Sequence, residues 1–167
     1  MTKTGLILPV AFLFTVLTAS HAALAQPWTA APGAAVVDEQ SAGIFQLDPG
    51  VLQYNASGST SQILAYYNVT DTTATGSPSW TTLELAAFDN SPNSFVRAQL
   101  YRITPSSGLT SAIATCTSVD SSSITVQPCS LLGATVNFNA GYIYALRITV
   151  SRTTTTLTPL FLGARLY

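Results

Sequence analysis

Residues 142–152 read Tyr-Ile-Tyr-Ala-Leu-Arg-Ile-Thr-Val-Ser-Arg, and this segment sets the structural class of the chain. Every second residue from Tyr142 to Val150 is apolar, and the intervening positions include Arg147 and Thr149. A repeat of two residues places alternate side chains on opposite faces of a β-strand. The segment therefore predicts a strand with one buried face and one partly polar face.

Other segments of the chain have the composition of short strands. They are Ile44–Leu47, Gln62–Val69, Trp80–Phe88, Phe95–Thr104, Ser111–Thr117, Ile124–Gln127, Thr135–Phe138 and Leu160–Leu166. Runs of Gly, Pro, Asn, Asp and Ser separate them and are typical of turns, and no segment has the apolar spacing of an amphipathic helix. The pattern predicts an all-β chain that folds as a single antiparallel β-sandwich, jelly-roll-like in topology.

Three parts follow one another along the sequence. Residues 1–25 contain one early cation, a short apolar run and an Ala-x-Ala site ending at Ala25, which predict a cleaved secretory signal peptide of bacterial type. Residues 26–43 are rich in Ala, Pro and Gly and predict an extended lead-in with a short strand at Ala35–Val37. Residues 44–167 form the predicted β-sandwich domain. We expect a secreted or periplasmic protein with no membrane span after cleavage of the signal.

The two cysteines, Cys116 and Cys129, predict a disulfide bond. An exported protein folds in an oxidising compartment, where an even cysteine count and a short separation favour one intramolecular bridge. The segment between them resembles a hairpin that turns at Ser122 and Ser123, with the cysteines facing each other. Closing so short a loop stabilises the folded state by about 3 kcal/mol in the chain-entropy model.

Removal of the leader changes the chemical inventory of the chain. It takes away His21, Lys3 and Met1, and the remainder has five arginines and seven acidic residues, a net charge of −2. Serine–histidine, cysteine–histidine, Schiff-base and zinc chemistry then lack their base, amine or ligands. So few cations also exclude a nucleic-acid binder that relies on phosphate neutralisation. We expect a protein that is not an enzyme and has no metal or cofactor.

Carboxylate chemistry is the catalytic option that this inventory leaves open. A glycoside hydrolase needs two carboxyl groups facing a sugar cleft, and Glu84 with Asp89 is the candidate pair. Glu84 lies between Leu83 and Leu85, where strand alternation predicts a solvent-facing position. The Asp89–Asn93 loop has oxygen atoms suited to Ca²⁺, but the same residue types form ordinary turns, which is the interpretation we favour.

Aromatic residues are the strongest candidates for a binding role. Their rings can stack on sugars while neutral polar side chains bond to hydroxyl groups. The candidate ligand-binding residues are Tyr54, Tyr66, Tyr67 and Trp80, although such rings also fill sandwich cores. Adjacent strand residues point to opposite faces, so either Tyr66 or Tyr67 is expected on an outer face. The prediction is an exported, non-catalytic binding or surface module of the adhesion type, with polysaccharide or cell-surface glycan as the leading ligand class.

A structural subunit that assembles into an oligomer or filament is the alternative. The mean hydropathy is +0.36 although only 8% of the residues are charged. This hydropathy is high for a soluble monomer with so few charges, and exposed apolar patches commonly mark interfaces between protein copies. A homo-oligomer is therefore the second partner prediction.

Overall fold

The computed structural model describes residues 26–56, 58–72 and 76–167, and the expected signal peptide lies outside these residues. The described part contains eleven β-strands. In chain order they are β1 (Trp28–Ala30), β2 (Val36–Val37), β3 (Phe45–Asp48), β4 (Val51–Tyr54), β5 (Ile63–Val69), β6 (Thr82–Asp89), β7 (Ser94–Thr104), β8 (Leu109–Thr117), β9 (Ser121–Ser130), β10 (Ile143–Arg152) and β11 (Leu160–Leu166). No helix in these ranges is long and apolar enough to cross a membrane.

The strands form two antiparallel sheets. Sheet I has the order β3-β4-β11-β6-β9, and β1 also pairs with β11. Sheet II has the order β2-β5-β10-β7-β8. In sheet I, β6 pairs along most of one edge of β11. The other edge of β11 is shared, because β4 pairs with it at Phe161 and β1 pairs with it from Ala164 to Leu166.

The strands from β4 through β11 are paired as in one long hairpin that is folded over on itself. The pairs are nested: β7 with β8, β6 with β9, β5 with β10, and β4 with β11. Successive pairs alternate between the two sheets, which is the arrangement of a jelly roll. The predicted fold class is confirmed. The hairpin tip is the turn before Gly108, where φ is +67° and the Gly108 N–H donates to Thr104 O at 2.8 Å.

The hydrophobic core lies between the sheets and follows the alternation seen in the sequence. On β10, Tyr144, Leu146, Ile148 and Val150 are fully buried. Strands of the facing sheet also bury apolar side chains in this core, such as Phe161 of β11. Removing these groups from water is the main favourable term in folding. The prediction for residues 142–152 is therefore confirmed, with β10 beginning at Ile143.

The Cys116–Cys129 disulfide is present, but it does not close a hairpin. Cys116 lies on β8, the edge strand of sheet II, and Cys129 lies on β9, the edge strand of sheet I. The two strands pair with β7 and β6 respectively. The expected hairpin is wrong because the chain crosses from one sheet to the other after Thr117, and the bridge links the two sheets.

Two other local predictions are also corrected. Thr135–Phe138 is not a strand: Phe138–Ala140 is a 3-10 turn, and the Asn137 side chain accepts from the Ala140 N–H at 3.2 Å. The segment Val51–Tyr54 was not predicted as a strand, although it pairs with both β3 and β11. The lead-in contributes β1 as well as the expected short strand near Val36–Val37.

Candidate functional site

Three of the four candidate aromatic residues lie in the core. Tyr54, Tyr67 and Trp80 are 8%, 5% and 2% exposed. The Tyr54 hydroxyl donates to Val150 O at 3.0 Å, and the Trp80 Nε1–H donates to Gln26 O at 3.0 Å. These three rings therefore pack inside the sandwich, away from the solvent-facing side of either sheet.

Tyr66 is the remaining candidate, and it faces outward from sheet II. It lies on β5 opposite Arg147 of β10 on one side and Val36 of β2 on the other. Its neighbours along the strand, Ala65 and Tyr67, are buried. The prediction that Tyr66 and Tyr67 occupy opposite faces is therefore confirmed, with Tyr66 on the surface.

Arg147 sits at the centre of the outer face of sheet II. Its guanidinium carbon lies 5.0 Å from the centroid of the Tyr101 ring, and its Nη2 donates to Gln99 Oε1. The Tyr101 hydroxyl donates to the same Gln99 oxygen at 3.2 Å. The amide, the phenol and the guanidinium are thus held together before any ligand arrives. A cation over a ring in this geometry contributes about 0.5–1 kcal/mol when exposed.

A second cation and ring lie on the same outer face. The Arg97 guanidinium carbon is 4.6 Å from the centroid of the Phe95 ring, and Arg97 Nε donates to Thr117 Oγ1 at 3.2 Å. Arg97 pairs with Thr149 of β10, while Arg147 pairs with Gln99 of β7. The two arginines are therefore diagonal neighbours on adjacent strands, about 7–8 Å apart at the backbone.

We call this surface the aromatic–arginine face. It consists of Tyr66, Phe95, Arg97, Gln99, Tyr101 and Arg147. It includes a hollow of about 250 Å³, whose lining consists of Tyr66, Tyr101, Ile103, Thr110, Ala145 and Arg147. Rings, amide and guanidinium groups on a flat sheet can stack on and hydrogen-bond to an extended polar ligand.

Most of this face was missed by reasoning from the sequence. Phe95, Arg97, Gln99 and Tyr101 occupy every second position of β7, so the period of two that placed Tyr66 would have placed them together. What the sequence does not show is that β7 and β5 are both neighbours of β10. That adjacency brings Tyr66 and Tyr101 to either side of Arg147.

The candidate catalytic pair is not brought together. Glu84 points outward from sheet I, as predicted, where its Oε1 accepts from Arg165 Nε at 2.7 Å. Asp89 lies on the same strand but points inward and is 2% exposed. Its two oxygens accept from Ser94 Oγ at 2.5 Å and Ser118 Oγ at 2.7 Å. Two carboxyl groups on opposite faces of a sheet cannot flank one glycosidic bond.

Residues 89–93 form a turn that is closed by local hydrogen bonds. The Ser94 N–H donates to Ser91 O at 3.0 Å, and Ser91 Oγ accepts from the Asn93 N–H at 3.2 Å. Within the ranges that the structure describes, no three His, Cys, Asp or Glu side chains are grouped so as to hold a metal ion.

The outer side of sheet I has a different character. Besides the Glu84–Arg165 pair it carries apolar residues, and on the edge strand β9 the side chains of Ile124 and Val126 are 63% and 56% exposed. Val126 pairs with Ala86 of β6. This edge therefore presents apolar surface next to unpaired strand backbone.

Comparison with known proteins gives little to set beside this geometry. No protein-family model matches the sequence, and neither does any curated protein. Among solved structures, the K1 cleaved adhesin domain of Lys-gingipain (Kgp) from Porphyromonas gingivalis W83 aligns at a TM-score of 0.41 and 11% identity, over 85% of this chain and 98% of that one. Function is therefore inferred from the chain's own residues.

Proposed function

We propose that the protein is an exported, non-catalytic binding module whose ligand is a polysaccharide or cell-surface glycan. The observation that supports this most directly is the placement of Tyr66 and Tyr101 on either side of Arg147 on one sheet face. Two half-buried rings supply stacking surfaces, and the groups between them supply hydrogen-bond donors for ring oxygens and hydroxyl groups.

The arrangement favours binding because its side chains are already ordered. Gln99 Oε1 accepts from both Arg147 and Tyr101, and Gln99 Nε2 donates to Thr115 Oγ1 at 3.4 Å. Side chains fixed in advance lose less rotamer freedom when a ligand binds, so more of the contact energy is realised as affinity. A rigid sheet holds such a site more precisely than loops do.

Two observations support the export and non-catalytic parts of the proposal. The disulfide between Cys116 and Cys129 is a bond that persists in oxidising compartments. The carboxyl groups of Glu84 and Asp89 lie on opposite faces of sheet I, and the Asp89 oxygens are both occupied by serine hydroxyls. None of the residues that form the aromatic–arginine face is acidic, so this face has no pair of carboxyl groups that could act as general acid and base.

Depletion of the purified protein by insoluble polysaccharides and cell walls tests the proposal. We expect at least one material to remove the protein from solution, and Tyr66→Ala and Tyr101→Ala to weaken this binding about fivefold each. Tyr167→Ala is the matched control, since Tyr167 is an exposed ring at the end of sheet I. Urea unfolding midpoints verify that all three variants remain folded. Absence of binding across the panel, or equal loss in the control, would reject the glycan site.

Self-assembly is the second candidate function, and the exposed Ile124 and Val126 on edge strand β9 favour it. An unpaired strand edge with apolar side chains is a template for pairing with another chain. Sedimentation equilibrium over a hundredfold range of protein concentration tests this. A stable oligomer that dissociates in Val126→Lys would support assembly, whereas a monomer at every concentration would reject it.

A further inference from the structure

The charges of this protein are segregated between its two sheets. The five strands of sheet II contain four of the five arginines and no acidic residue. The strands of sheet I contain Asp48, Glu84 and Asp89 but a single arginine, Arg165. A chain with more acids than cations therefore presents a sheet surface that is locally cationic.

Two of the sheet II arginines point outward with most of their donors unused. Each guanidinium group has five N–H donors in a planar fork. Among the described residues, Arg97 makes one hydrogen bond, from Nε to Thr117, which leaves both terminal nitrogens free of protein acceptors. Arg147 likewise makes one, from Nη2 to Gln99. Its Nε is buried without an acceptor, so a ligand would bind at the terminal nitrogens of this group.

The single arginine of sheet I provides the contrast. Arg165 Nε lies 2.7 Å from Glu84 Oε1, and its Nη2 donates to Glu84 Oε2 at 3.1 Å. The carboxylate thus already fills the fork of Arg165 with two parallel contacts, the geometry in which arginine binds carboxylate and phosphate groups most strongly. The forks of Arg97 and Arg147 lack such a carboxylate from their own sheet.

We infer that the ligand of the aromatic–arginine face is an anionic polysaccharide, whose carboxylate or sulfate groups occupy the forks of Arg97 and Arg147. This inference rests on the proposed glycan-binding function and names its ligand class. The two arginines are diagonal neighbours about 7–8 Å apart at the backbone. Phe95 and Tyr101 each have one guanidinium over the ring, and Tyr66 lies opposite Arg147. Tyr66 and the ring faces of Phe95 and Tyr101 that the guanidinium groups do not cover supply stacking surface for the sugar rings.

Retardation of the protein in gels that contain soluble polymers tests this ligand class. The probes are matched pairs: polygalacturonate with its methyl-esterified form, and dextran sulfate with dextran. Each pair shares a backbone and differs in charge. We expect retardation by the charged member only, and a fall in affinity of at least tenfold between 50 mM and 500 mM NaCl, since salt screens exposed charges. The charged polymer that retards the protein more strongly identifies carboxylate or sulfate as the group bound.

Charge-removing variants separate a specific site from general attraction. Arg97→Gln and Arg147→Gln are each expected to lower affinity for the charged polymer about tenfold, the effect of losing one charge-assisted contact. Arg165→Gln changes the net charge by the same amount on the other sheet and should leave the affinity unchanged. Equal losses in all three variants would overturn the inference, because they would indicate attraction by net charge alone.

The outcomes also distinguish this inference from the proposed function. Retardation by the neutral polymers, abolished in Tyr66→Ala but unchanged in Arg97→Gln, would overturn the anionic ligand and leave glycan binding intact. No retardation by any of the four polymers, together with no depletion by the insoluble polysaccharides and cell walls, would reject both.

Discussion

The guanidinium carbon of Arg152 lies 3.9 Å from the centroid of the Tyr54 ring, and both side chains are buried. Arg152 Nε donates to Ser59 O at 2.9 Å, and Nη1 donates to Thr155 O and Leu157 O at 3.1 and 3.0 Å. The acceptors belong to the connections before β5 and before β11. One buried cation therefore fixes two loops at the same end of the sandwich.

Replacement of Arg152 is expected to destabilise the fold substantially. Arg152→Ala leaves three carbonyl groups without their donor and removes the stem that packs on Tyr54, which costs about 3 kcal/mol of unfolding free energy. Urea unfolding measures this. Arg165→Ala is the control because Arg165 is exposed, and its midpoint should stay close to that of the wild type. A midpoint for Arg152→Ala equal to that of the control would contradict the role assigned to the buried guanidinium.

Reduction of the disulfide is expected to lower stability by about 3 kcal/mol. Cys116 and Cys129 are 13 residues apart, and the bond holds the edge strands of the two sheets together. Urea unfolding with and without a reductant gives the difference. The Cys116→Ala/Cys129→Ala double variant should show the low midpoint in both conditions. A midpoint that is insensitive to reductant in the wild type would show that the bridge constrains neither state.

The fold class was predictable because the alternation of apolar and polar residues within a strand indicates which of its faces is buried. Every second residue from Tyr142 to Val150 is apolar, and burial on β10 follows that alternation except at Thr149, which is also buried. The partners of each strand are set by contacts distant in sequence, so the sequence around the β8–β9 connection predicts a hairpin that does not form. Polar serines at positions 121–123 suit a crossing between sheets as well as a turn within one.

The candidate site was less predictable for the same reason. Alternation separates Tyr66 from Tyr67, but a binding face is assembled from several strands. Tyr66 and Tyr101 lie on either side of Arg147 only because β10 lies between β5 and β7. Trp80 precedes β6 in a segment without alternation, and its depth follows from packing against Phe138, with ring centroids 6.4 Å apart.

The buried carboxylate of Asp89 supports a further prediction. Its oxygens accept from Ser94 and Ser118, and Ser118 Oγ in turn accepts from the Val96 N–H at 2.9 Å. Asp89→Ala removes the acceptor of the buried Ser94 hydroxyl and of the half-buried Ser118 hydroxyl, and should cost about 2–3 kcal/mol. Urea unfolding checks this, with Asp120→Ala as an exposed control. A variant as stable as the control would show that the two serines find other acceptors.

Alkaline destabilisation is the last prediction, and it depends on Tyr67. Burial raises the pKa of this phenol above its ordinary value of 10.0, and its hydroxyl donates to Pro32 O at 3.4 Å inside the core. The unfolded chain therefore releases the proton first as pH rises. The stabilising contribution is complete below about pH 10 and is lost progressively above it.

The Tyr67→Phe variant isolates this contribution because every other titrating group is common to both chains. The wild type should lose about 1 kcal/mol more than Tyr67→Phe between pH 9 and pH 11, as measured by urea unfolding at each pH. The two chains should differ little in their slope below pH 9, where the phenol is protonated in both states. Parallel curves up to pH 11 would mean that the Tyr67 phenol ionises as readily in the folded chain as in the unfolded one, which its burial at 5% exposure argues against.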